Sequence, residues 1–102
     1  MALMEITVVP LGTGTSLSKY VARAVRVVES IPEIDYELTS MGTIVQGRMD
    51  RLLEVAQKMH QAVLDAGAQR VSTLIRIDDR VDKEATLSSK LKSLKRELGE
   101  GL

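Results

Sequence analysis

At 102 residues and 11.2 kDa the chain has room for one two-layer core, and 44% hydrophobic with 27% charged residues is the composition of a soluble globular domain. Lys+Arg 14 balance Asp+Glu 14, so net charge gives no reason to expect nucleic acid or an anionic membrane surface as partner. The absence of cysteine excludes disulfides, thiolate metal sites and cysteine nucleophiles, the lone histidine His60 leaves too few ligands for an ordinary zinc or copper site, and no apolar run approaches the roughly 18 residues of a membrane span.

Met4, Ile6 and Val8 alternate with Glu5, Thr7 and Val9, a period of two that predicts a strand over residues 3–9, closed by Pro10, which cannot donate to a sheet ladder. The hydroxyls of Gly12-Thr13-Gly14-Thr15-Ser16 are of the type that caps helices. Leu17, Tyr20, Val21, Ala24, Val27, Val28 and Ile31 then recur at three- and four-residue steps, predicting a helix over residues 16–30 that Pro32 ends. Tyr36 and Leu38 alternate with Asp35, Glu37 and Thr39, and Ser40-Met41-Gly42 turns the chain into Thr43-Ile44-Val45-Gln46, an antiparallel hairpin. From about Asp50, the residues Leu52, Ala56, Met59, Val63 and Ala66 define a second helix, with Gly67 at its left-handed C-cap. Val71, Thr73, Ile75 and Ile77 predict a fourth strand stopped by Asp78-Asp79-Arg80, and Leu87, Leu91, Leu94 and Leu98 form the seam of an amphipathic tail helix.

This order is the split βαβ arrangement of an α+β, ferredoxin-like βαββαβ domain over residues 1–102, with both main helices on one face of the sheet. The other face then carries Val9 and Leu74 beside Thr7, Thr39 and Ser72. A half-apolar face of this kind calls for a partner, and a second copy of the sheet supplies one, giving sheet-packed dimers that the tail helix or the sheet edges join further. Phe and Trp are absent and only Tyr20 and Tyr36 are aromatic, so the core is built from aliphatic residues and platforms for base stacking are missing. The start of the chain lacks the basic and long apolar segments of a secretory signal, which predicts a cytoplasmic location. The absence of Asn and Cys with abundant Glu, Lys and Arg leans toward a thermophilic source.

The glycine-rich segment after the first strand could present backbone N–H groups and hydroxyls to a polar ligand, but it has neither the Gly-Lys-Ser/Thr of a phosphate loop nor the third glycine of a dinucleotide fingerprint. Taken alone it reads as a connection and a helix cap, and Ser40-Met41-Gly42-Thr43 reads as turn chemistry. Asp78-Asp79-Arg80 with Asp82 lacks the spacing and glycine of a calcium loop and reads as a solvated strand end. His60 falls beside the apolar stripe of the second helix, where a solvent or backbone partner is expected. No residue pair stands out as nucleophile and base, so no catalytic residue is assigned.

Three segments taken together resemble the small thiamine-binding protein family. They are Val9-Pro10-Leu11-Gly12-Thr13 continuing to Thr15-Ser16-Leu17-Ser18-Lys19-Tyr20-Val21; Met41-Gly42-Thr43-Ile44-Val45 with Gly47; and Ile77-Asp78-Asp79-Arg80 with Asp82-Lys83. His60-Gln61-Ala62-Val63 and Ala66-Gly67-Ala68 lie between them, and the resemblance covers nearly the whole chain. It implies a ferredoxin-like fold, sheet-paired dimers assembled into a homotetramer, and binding of thiamine or its hydroxymethylpyrimidine moiety without catalysis or a cofactor. Gly14 departs from the small polar residue frequent in such proteins, and Gln46 and Arg48 flank Gly47 where an acidic residue is common.

An aminopyrimidine offers donors and acceptors and suits short hydroxyls and backbone groups, such as those of Thr15, Ser16, Ser40 and Thr43, with Thr13, Ser18, Met41 and Gly42 in the same segments. Strands one and three are neighbours in this topology, so residues 13–18 and 40–43 are expected to line one pocket. The thiazolium cation calls for a carboxylate, Asp78 ahead of Asp79, or for the ring face of Tyr20 or Tyr36. The competing reading is an oligomeric regulatory module of the same fold that binds an amino acid or nucleotide. RNA recognition on the open sheet would need exposed aromatics and a basic surface, and the composition supplies neither.

Overall fold

The computed structural model describes residues 1–15, 17–82 and 86–99. The chain runs β1 (Ala2–Pro10), α1 (Ser18–Ser30), β2 (Asp35–Thr39), β3 (Gly42–Gly47), α2 (Met49–Asp65), β4 (Val71–Asp78) and α3 (Leu87–Glu97). The strands form one antiparallel sheet in the order β2-β3-β1-β4, which is the ferredoxin-like arrangement with a third helix added.

Side chains directly opposed across antiparallel strands share a face. Met4 pairs with Val45 and Ile77, Ile6 with Thr43 and Ile75, and Val8 with Thr73, so this face turns toward α1 and α2. The core is aliphatic, joining Met4, Ile6, Val8 and Val45 of the sheet to Ala24 and Val28 of α1 and to Leu52, Val55, Ala56, Met59 and Val63 of α2. Each fully buried Leu, Val or Met contributes about 1.5–3 kcal/mol of gross transfer energy, so α2, with the longest buried stripe, anchors the layer. His60 Nδ1 lies 2.6 Å from Thr73 Oγ1 and ties α2 to β4, a side-chain hydroxyl partner where solvent or backbone was expected.

On the opposite face the rows are Asp35–Gln46–Leu3–Asp78 and Glu37–Ile44–Glu5–Arg76, followed by Thr7 beside Leu74 and Val9 beside Ser72. This matches the half-apolar face anticipated from the pattern. It is not open along its whole length, because α3 crosses the end near Leu3, where the Leu87 backbone N–H donates to Gln46 Oε1 at 2.9 Å and Leu87 and Leu91 line a groove against the sheet.

Helix boundaries depart from expectation in one informative place. α1 begins at Ser18 behind an N-cap Leu17 that makes no side-chain capping bond, so the described hydroxyls of the glycine-rich segment do not cap it; Ser16 lies outside the described residues. The other end follows local rules. Ile31 is extended before Pro32, as the ring of a following proline requires. α2 closes with Ala66 capping and Gly67 at φ 112°, the left-handed position that favours glycine.

Candidate functional site

The C-terminal end of β1, the β2–β3 turn and the first half of α1 enclose a cleft of about 330 Å³. Its floor is Ile6, Val8 and Thr43. One wall is Leu17, Val21, Ala24 and Val25, the other is Leu38 with Thr39, Ser40, Met41 and Gly42, and Met59 reaches in from α2. Among the described residues, no charged side chain and no aromatic ring lines it.

The turn is built to keep this end of the sheet tight. Thr39 Oγ1 donates to the Gly42 carbonyl at 2.8 Å and accepts the Met41 N–H at 3.2 Å, which projects Ser40 and Met41 outward, Met41 at 80% exposure. Gly42 is required by close approach: a Cβ there would stand 3.0 Å from the Ile6 carbonyl oxygen and 3.2 Å from Thr7 Oγ1. Thr43, one residue on, is the one buried polar side chain among the described residues, at 6% exposure, and its hydroxyl forms no hydrogen bond within the described chain. With most of its residue surface buried and its hydroxyl unbonded on the floor of an apolar cleft, Thr43 is placed to donate to and accept from a ligand.

The sequence-derived candidates separate in the structure. Ser40, Met41, Gly42 and Thr43 line the cleft, and Leu17 brings the end of the glycine-rich segment against them. Thr13, Thr15 and Ser18 are not in its lining, so among the described residues of 13–18 only Leu17 meets residues 40–43 in this cleft. Ser18 faces the outer flank of α1, Thr15 is exposed, and Thr13 keeps its Oγ1 buried without a partner beside Gly12 and Gly14 at φ 80° and 84°. Ser16 lies outside the described residues. Asp78 lies elsewhere: it pairs with Leu3, on the sheet face opposite to Ile6 and Thr43 and three residues along β1, about 10 Å by strand rise. It lines the α3 groove instead, while Asp82 holds Arg80 through a bidentate ion pair at 2.7 and 2.5 Å. Neither tyrosine lines the cleft, and the Tyr20 ring already carries the Lys19 ammonium 4.9 Å from its centroid.

Sequence reasoning missed Thr7, Leu38, Val21, Ala24, Val25 and Met59 as walls of this site. Val21 and Leu38, exposed at 49% and 54%, follow the helix and strand periodicities that mark a core, so no local pattern distinguished them. The larger concavity along α1, about 720 Å³, is lined by that single helix, through Ser18, Arg26, Glu29 and Ser30 beside Val21 and Val25. No helix of the described residues is long and apolar enough to cross a membrane, and no cluster of three or more metal-ligating side chains occurs among them.

Comparison with known proteins gives this geometry a context. Residues 4–95 match the family model described as thiamine-binding protein. The UPF0045 protein YqgV of Bacillus subtilis is 42% identical, over 96% of this chain and 98% of its own. A crystal structure of a hypothetical protein of Methanocaldococcus jannaschii superposes with a TM-score of 0.86 at 36% identity, covering 91% of this chain and 94% of that one. A Thermotoga maritima structure, provisionally assigned to thiamine biosynthesis or salvage, shares the fold with a TM-score of 0.78 at 20% identity, over 91% of this chain and 97% of its own.

Proposed function

The chain belongs to the thiamine-binding protein family, and from that premise we propose that it binds thiamine through its hydroxymethylpyrimidine moiety, without chemistry, in the cleft between α1 and the β2–β3 turn, in thiamine homeostasis or salvage. The observation that carries this reading is the Thr43 hydroxyl, on the cleft floor with no hydrogen bond to a described residue. An aminopyrimidine ring presents both acceptors and donors to it, and the apolar walls from Leu17, Val21, Leu38 and Met59 suit the faces of a flat heterocycle. The uncharged lining favours the neutral pyrimidine inside, with the thiazolium cation left at the mouth beside Ser40 and Met41. Binding without catalysis is supported by the same lining, which among the described residues offers hydroxyls but no His, Asp, Glu or Lys to activate them.

Calorimetric titration and thermal melting with thiamine and with free hydroxymethylpyrimidine test the reading. A ligand at 100 times its Kd stabilises the native state by about 2.7 kcal/mol, so binding of either compound raises the melting temperature. Absence of both heat and stabilisation with both compounds at high excess would refute it.

A further inference from the structure

With a pyrimidine in the cleft as read above, we propose that Ala24 is a specificity-determining residue: with Met59 it closes the inner end as an apolar socket that takes the ring methyl and turns away aminopyrimidines bearing a carbonyl in its place. The apolar stripe of α1 steps through Leu17, Val21, Ala24, Val28 and Ile31, and Ala24 alone in it carries a single side-chain carbon. Protein interiors are close-packed, so a residue this small at a buried position either draws its neighbours in or leaves space. Here it leaves space. Ala24 is 4% exposed and still lines the cleft, and Met59, 2% exposed, meets the same space from α2. Leu38 and Met41, both exposed, mark the opposite end as the mouth. The cleft thus has a buried inner end and an exposed outer one.

The ligand has a matching polarity along its axis. In hydroxymethylpyrimidine the methyl group sits on the carbon directly across the ring from the methylene arm, which in thiamine leads to the thiazolium. Placing the thiazolium at the mouth therefore turns the methyl to the inner end, while the amino group and the adjoining ring nitrogen face the Thr43 hydroxyl on the floor. Ala24, Met59 and Ile6 offer that end carbon and a thioether sulfur, with no N–H or O–H in their side chains. A methyl group gains from burial there. A carbonyl leaves its water behind and finds no side-chain donor, which is the costly way to bury a polar group. Cytosine-type rings present the same amino and nitrogen edge to Thr43, so that hydroxyl does not separate the two classes. The inner end does.

Calorimetric titration of the unaltered chain compares hydroxymethylpyrimidine with its desmethyl analogue and with 5-hydroxymethylcytosine, which keeps the amino group, the ring nitrogen and the hydroxymethyl arm and replaces the methyl by a carbonyl. The desmethyl ring should bind about fourfold more weakly, the loss of one buried methyl, and the cytosine at least about tenfold more weakly. Ala24→Val, which pushes two methyl groups into the inner end, should invert the first preference, so that the desmethyl ring binds tighter than the methylated one. Circular dichroism checks the fold of the variant, and the ligand series on the unaltered chain decides the matter if the variant does not fold. Equal affinity of the unaltered chain for the methyl and carbonyl rings, no gain from the methyl, or a folded Ala24→Val that keeps the methyl preference or binds neither ring would each overturn the socket. Those results leave the reading of the cleft standing wherever hydroxymethylpyrimidine itself still binds the unaltered chain, whereas absence of binding by every ring would overturn both.

Discussion

Thr43 separates the folding role of a residue from its binding role, because its methyl group and its hydroxyl face different demands. The hydroxyl has no hydrogen bond to a described residue to lose. Thr43→Val, which keeps the shape and fits a strand, should therefore leave the unliganded stability unchanged or slightly raised. The same change removes one neutral hydrogen bond to the ligand, about 1 kcal/mol and so roughly fivefold in Kd. Thr43→Ser keeps the hydroxyl and deletes a buried methyl against Ile6 and Leu38. It should cost about 0.8 kcal/mol of stability, a fall of about 4–8 °C in melting temperature per kcal/mol for a domain of this size, while retaining most of the affinity. Melting without ligand and calorimetric titration with hydroxymethylpyrimidine on all three proteins give four comparisons. If Thr43→Val destabilises the free protein and leaves Kd unchanged, the hydroxyl is structural and the cleft assignment fails.

Asp78→Asn should alter the affinity for neither thiamine nor the free pyrimidine, since the residue lies on the other face of the sheet from the cleft; a selective loss of thiamine binding in titration would place the thiazolium on that face instead. Gly42→Ala drives a Cβ to 3.0 Å from the Ile6 carbonyl oxygen and should lower the urea midpoint, by about 1–3 kcal/mol of stability, with ligand affinity falling as the turn shifts. The Glu54 carboxyl is held below its ordinary value, first by the hydrogen bond from Lys58 and then by that from Arg51. A depressed carboxylate adds stability above its unfolded value that is lost as pH falls through the folded one. Urea midpoints of the unaltered chain should therefore exceed those of Glu54→Gln near neutrality and converge with them as pH drops below about 4.5; a constant gap across that range would deny the ion pairs a role.

The order of elements and the faces they bury were fixed by interactions that reach only a few residues along the chain. The period of two in Met4, Ile6 and Val8, the steps through Leu52, Ala56, Met59 and Val63, and the stops at Pro32 and Gly67 each act within one strand or one turn, and each reappears in the structure. The half-apolar outer face followed from the same parity, since alternation puts Thr7, Val9 and Leu74 on one side wherever the core takes Ile6 and Val8. The site is another matter. The segments that carry the family resemblance are three short runs of sequence, and the fold sends Met41–Thr43 to a cleft at one end of the sheet and Asp78 to a groove at the other end of the opposite face. That division depends on register between strands more than thirty residues apart, Ile6 with Thr43 and Leu3 with Asp78, which no local pattern encodes. The placing of the Thr43 hydroxyl on a cleft floor, the walls lent by Val21 and Met59, and the exposure of the basic half of α3 are likewise properties of packing. They arise only when α1 and α2 close on the sheet, because the apolar residues that form a core and those that line a ligand cleft obey the same periodicity until the third dimension separates them.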